Sequence, residues 1–95
     1  MVQIHTFTND FFKLLKNEFG SNIWFVGLQG SYARGEADEN SDIDIVVILN
    51  ECRASDIEKY NTLLDCVSER KLMCGFISGK DELFHWNVSE LFQFY

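Results

Sequence analysis

Ile23-Trp24-Phe25-Val26-Gly27-Leu28-Gln29, then Gly30-Ser31, then ten residues from Tyr32 to Ser41, then Asp42-Ile43-Asp44-Ile45-Val46-Val47-Ile48-Leu49, is the stretch on which the fold turns. Residues 23–29 are a continuous apolar run rich in β-formers, the pattern of a strand buried on both faces. Residues 42–49 are β-branched and become wholly apolar after two aspartates, which describes a strand that leaves solvent and enters a core. Upstream, Thr8 is placed to cap a helix running to about Phe19. Phe11, Phe12, Leu15 and Phe19 recur there at three-to-four spacing, and Gly20 provides a stop. Downstream, Ser55-Asp56-Ile57-Glu58 reads as a capping box opening a second helix to about Glu69. Lys71 to Ser78 is a third strand, and Asn87-Val88-Ser89-Glu90 caps a last helix carrying Leu91, Phe92, Phe94 and Tyr95. The order helix, strand, loop, strand, helix, strand, helix predicts an α/β or α+β fold with a sheet of three or more strands.

Length and composition agree. Ninety-five residues suit a single domain over 1–95. With 46% hydrophobic and 24% charged residues, the chain lies far from the polar, highly charged compositions that stay disordered. The longest apolar stretch, Ile23 to Leu28, is far short of the ~18 residues of a membrane span. The first residues carry no basic-then-apolar signal pattern, so no membrane partner and a cytoplasmic location are expected. The net charge of −7 disfavours nucleic acid, whose affinity comes from Lys and Arg neutralising phosphates. A small anionic ligand remains compatible with that charge if a divalent cation accompanies it. Cys52, Cys66 and Cys74 have neither disulfide-framework nor zinc-ligand spacing, and read as buried or idle thiols. Repeats, linkers and low-complexity segments are absent from the sequence.

The chemistry concentrates between Gly30 and Asp44. Asp42 and Asp44 are two apart on a predicted strand, so period-2 alternation places both carboxylates on one face, where they can share a metal. Carboxylate oxygens suit Mg²⁺, which keeps several waters and binds through one or two carboxylates plus substrate phosphates. Gly30-Ser31 ends the preceding strand at a turn, where a glycine lets backbone N–H groups approach a phosphate. Together they make a place for a metal-bound nucleoside triphosphate.

Gly-Ser, ten residues, then Asp-x-Asp resembles the signature of the nucleotidyltransferase superfamily in its minimal single-domain form. Four specified residues at a fixed spacing arise by chance in such a chain about once in a thousand. Tyr32-Ala33-Arg34-Gly35-Glu36-Ala37 and Ser41 through Val47 add to the resemblance, which is detailed over about residues 23–49. It implies the nucleotidyltransferase fold, a small mixed sheet flanked by helices. Gly30 and Ser31 would hold the β- and γ-phosphates, Asp42 and Asp44 would ligate Mg²⁺ (or Mn²⁺), and Arg34 would lie near the phosphates or stabilise the loop. The implied reaction transfers a nucleoside monophosphate, from ATP or another triphosphate, to an acceptor hydroxyl of a small molecule or a partner protein. The chain departs from the family in one respect. Active members carry a third carboxylate on the following strand, and Lys71 to Ser78 contains none. Asp65, Glu69, Asp81, Glu82 and Glu90 are the acidic residues that could reach in from elsewhere. The alternative to an enzyme is therefore a nucleotide- or partner-binding module that kept only the donor half of the site.

Other features read more plainly. Arg34 stands among Glu36, Asp38 and Glu39 and has local ion-pair partners as an alternative to phosphate. Ser78-Gly79-Lys80 lacks the spacing of a phosphate loop, and Asp81 stands where Ser or Thr is required. His85 beside Trp86 reads as a packing or surface residue rather than a general base, and His5 is too near the terminus to interpret. Phe11, Phe12, Phe19, Trp24 and Phe25 fall at core spacing rather than forming a base-stacking platform. The last thirteen residues hold five aromatics and two leucines, more than one face of a short terminal helix can bury. A homodimer or hetero-complex through this segment is expected, unless the rings fold onto the sheet or the natural chain continues past Tyr95.

Overall fold

A computed structural model describes residues 3–81 and the backbone of residues 92 and 93. The elements are α1 (Ile4–Phe19), β1 (Ile23–Gln29), a short helix α2 (Gly30–Ala33), β2 (Ile43–Leu49), α3 (Ala54–Asp65), β3 (Met73–Gly79) and β4 (Phe92–Gln93). They build a four-stranded sheet in the order β3-β2-β1-β4. β1 runs antiparallel to β2 and to β4, whereas β2 and β3 are parallel. The sheet is thus mixed and flanked by helices, as expected. Parallel pairing of β2 with β3 requires a long crossover, and α3 supplies it.

One core joins the helices to one face of the sheet. Phe7, Phe11, Leu15 and Phe19 of α1 meet Ile23, Val26 and Leu28 of β1, Ile43, Ile45, Val47 and Leu49 of β2, and Tyr60 and Leu64 of α3. The Phe7 and Phe11 rings stack at 5.7 Å, and Tyr60 meets Phe11 edge-on at 6.4 Å. The alternation of β2 sends its odd-numbered residues to the helices. Val46 and Ile48, on the opposite face, are also buried.

Two helix starts differ from expectation. α1 begins at Ile4, not after Thr8, whose hydroxyl instead donates to the His5 carbonyl one turn back. Extending the helix buries Phe7, a gain of roughly 1.5–3 kcal/mol, which outweighs the ~1 kcal/mol of a Thr cap. α3 begins two residues earlier than the Ser55 box implies and ends at Asp65, not Glu69. The carboxylate of Asp56 accepts the Arg53 backbone N–H at 2.9 Å. A bulge at Trp24 interrupts the β1–β2 register and leaves its indole 48% exposed, so this end of β1 is not buried on both faces. Phe12 and Phe25 are half-buried.

The expected terminal helix is corrected where the chain is described. Phe92 and Gln93 are extended and pair with Leu28 and Gly27 of β1. Extended pairing at the sheet edge replaces the one-faced terminal helix there. The remainder of that segment, His85 and Trp86 included, lies outside the described residues.

Asn22 and Glu51 fix the end of the β1–β2 pair remote from the Gly-Ser turn. The Asn22 amide donates to the Glu51 carbonyl at 2.9 Å and accepts the Glu51 N–H at 3.1 Å. With the register set there, Gln29 falls opposite Asp44.

Candidate active site

The site forms where β1 ends and β2 begins. Gly30 has φ +72°, a backbone conformation that L side chains rarely adopt. A Cβ at this position would also stand 3.7 Å from Asp44 Oδ2, in the space before that oxygen. The turn expected at Gly30-Ser31 is one turn of helix, α2, held by Arg34 N–H to the Gly30 carbonyl (3.2 Å) and Glu36 N–H to the Ser31 carbonyl (2.9 Å). Tyr32 and Ala33 anchor it against the core. The first N–H groups of any helix lack intrahelical acceptors, and those of this turn lie at the end of β1.

Asp44 is half-buried on β2, on the face opposite Ile43 and Ile45, while Asp42 is exposed just before the strand. Its approach is held by a compact turn. Asp38 Oδ1 accepts from Asn40 N–H (2.9 Å) and from the Ser41 hydroxyl (3.3 Å), and Ser41 Oγ accepts the Asp38 N–H (2.9 Å). Arg34 is paired with Glu36 at 3.0 Å, with both side chains mostly exposed. Such a pair is worth only about 0–1 kcal/mol, so the guanidinium can exchange partners readily.

Two residues at the site were not singled out by the sequence. Gln29 donates from Nε2 to Asp44 Oδ1 at 2.9 Å. On the other side, β3 brings Cys74 into register with Asp44. Cys74 and Cys66 are both exposed, so of the two readings, buried or idle, burial does not hold for either. Partial desolvation first, then the negative charges of Asp44 and Asp42, pushes the Cys74 thiol up to about 11. Its thiolate is accordingly scarce at neutral pH. Alkylation of Cys74 by iodoacetamide should keep accelerating towards pH 11 instead of levelling off in the ordinary thiol range, and Asp44→Asn should move that profile to lower pH. A profile unchanged by Asp44→Asn would show that the two side chains do not interact. The signal for both residues was strand register, which no local pattern carries.

A third carboxylate is not assembled among the described residues. Asp65 lies 3.8 Å from Arg70, Glu69 accepts from the Ser68 hydroxyl, and Asp81 follows β3 at the end away from Asp44. Glu82 and Glu90 lie outside the described residues. No group of three or more His, Cys, Asp or Glu side chains able to hold an ion occurs among those described. Asp44 beside Gly30, with Asp42 two residues before it, nevertheless offers the oxygen ligands that fit Mg²⁺, which takes one or two carboxylates and completes its shell with water and substrate phosphates. Ser78-Gly79-Lys80 lies at the Leu49 end of β3, roughly 17 Å of strand from Cys74. It is remote from this site.

A family model described as a nucleotidyltransferase domain matches residues 9–89. The chain belongs to that family. A relative from Methanocaldococcus jannaschii, named "putative protein adenylyltransferase", is 35% identical over 66 residues. The match covers 70% of this chain and 45% of the relative, so the chain spans less than half of that protein's length. The crystal structure of a "putative nucleotidyltransferase" from Sulfolobus solfataricus superposes with a TM-score of 0.66 at 20% identity. It covers 95% of this chain and 78% of that one. This likeness shows the nucleotidyltransferase fold. Among the described residues no helix is long and apolar enough to cross a membrane.

Proposed function

We propose that the chain transfers a nucleoside monophosphate from a Mg²⁺-bound triphosphate, ATP in the first instance, to a hydroxyl group. The observation carrying this reading is the juxtaposition of Asp44 Oδ2 with Gly30, where the missing Cβ leaves room before the carboxylate. In the reaction the acceptor oxygen bonds to the α-phosphorus, the bond from that phosphorus to the bridging oxygen breaks, pyrophosphate leaves, and the hydroxyl proton passes to solvent or base. Gly30 and Ser31 present backbone N–H groups to the β- and γ-phosphates. Asp42 and Asp44 hold the cation, and Arg34 can leave Glu36 to reach phosphate oxygens. Held by Asp42 and Asp44, Mg²⁺ would supply neutralisation of the charge that develops during transfer. The name of the archaeal relative supports a protein hydroxyl as acceptor.

A second reading follows from the carboxylate set. With no group of three metal-holding side chains among the described residues, the chain would bind the triphosphate and not turn it over. The two readings separate in one assay. The protein, Mg²⁺ and ATP labelled at the α-phosphate are incubated with a panel of Ser-, Thr- and Tyr-containing peptides. Transfer predicts label on peptide and release of unlabelled pyrophosphate. Bound but intact ATP, with neither product, would establish the binding module instead.

A further inference from the structure

We propose that Gln29 is a positioning residue, which holds the Asp44 carboxylate in the orientation that receives the cation. The inference rests on Asp42 and Asp44 being cation ligands. Gln29 ends β1 directly opposite Asp44 in the β1–β2 register. Its Nε2 donates to Asp44 Oδ1 at 2.9 Å, and Asp44 Oδ2 is the oxygen facing Gly30. One oxygen is therefore engaged by the protein and the other is directed to the phosphate turn.

The chemistry of the donor matters. A Lys or Arg at position 29 would neutralise the carboxylate and compete with the cation for it. An amide donates one N–H, fixes the rotamer and leaves the full negative charge in place. It also does not titrate, so the orientation is insensitive to pH. Gln29 is moreover the extended residue that immediately precedes Gly30 at the start of α2. One residue thus joins the phosphate turn to the carboxylate, so that the spacing between the two parts of the site is set by a single strand end. Hydrogen-bond partners of metal-ligating side chains are typically worth 10–100-fold in metal affinity.

The test measures Mn²⁺ binding by electron paramagnetic resonance, in the presence of a non-hydrolysable α,β-methylene ATP analogue. It compares wild type, Gln29→Met, which keeps length and removes the donor, and Asp44→Asn. The expected result is Mn²⁺ affinity weakened about 10–100-fold by Gln29→Met and further by Asp44→Asn, with the thermal midpoint of Gln29→Met close to wild type. Wild-type Mn²⁺ affinity in Gln29→Met, alongside a loss in Asp44→Asn, would overturn the role of Gln29 and leave the site intact. Unchanged affinity in both variants would overturn the cation site itself. If Gln29→Met does not fold, Gln29→Asn, whose amide is one methylene too short to keep the 2.9 Å contact, is read the same way.

Discussion

Asp44→Asn is expected to weaken Mg²⁺-dependent triphosphate binding by ~100-fold or more, with little loss of stability. The size follows from the ligand's place: hydrogen-bond partners of ligands are worth 10–100-fold, so a direct ligand should reach at least the upper end. Stability should survive because the side chain is half-buried and its hydrogen-bond partner, Gln29 Nε2, can be satisfied by an amide oxygen. Asp42→Asn should be milder in structure and similar in kind, since Asp42 stands exposed before the strand. Titration of the magnesium–ATP analogue into each variant, with urea denaturation as the control, checks both halves. Loss of binding accompanied by unfolding would assign Asp44 to the scaffold.

The largest effect on stability is expected at Gly75. It has φ +109°, and a Cβ there would run into the Ile45 carbonyl oxygen and backbone of β2. Neither problem is relieved by a rotamer change, because the obstacle is the neighbouring strand. Forcing a side chain into such a conformation costs about 1–3 kcal/mol, and separating β3 from β2 adds lost ladder hydrogen bonds and core contacts. Gly75→Ala should therefore cost on the order of 4 kcal/mol or more, a large part of the 5–15 kcal/mol of a typical domain. The consequence reaches the site, because the β2–β3 register is what brings Cys74 to Asp44. An unfolding free energy from urea denaturation within about 1 kcal/mol of wild type would contradict this expectation.

What could be read in the sequence was whatever a single element determines. The apolar run Ile23 to Gln29 coincides with β1 at both ends, and the alternation after Asp42 correctly separates Asp44 from Ile43 and Ile45. Gly20, with φ +54°, stops α1 where expected. The misses share a cause, which is competition from tertiary contacts. Thr8 looked like a cap only while the burial of Phe7 against Phe11 was out of view. Phe92 and Gln93 looked helical because the partner that makes them a strand, β1, is some 65 residues away in the chain. Gln29 and Cys74 stand opposite Asp44 through the β1–β2 and β2–β3 registers, which long-range pairing sets. An interior strand glycine often marks a close backbone approach, as Gly75 does against Ile45, but it does not tell which residue of the partner strand stands opposite.

Calorimetry of the α,β-methylene ATP analogue, with and without Mg²⁺, on wild type and on the Asp42→Asn/Asp44→Asn double variant decides whether the two aspartates form a cation-dependent triphosphate site. Wild type is expected to bind in a Mg²⁺-dependent manner, and the folded double variant is expected to lose that binding. Equal affinity of wild type and double variant for the analogue would contradict this expectation.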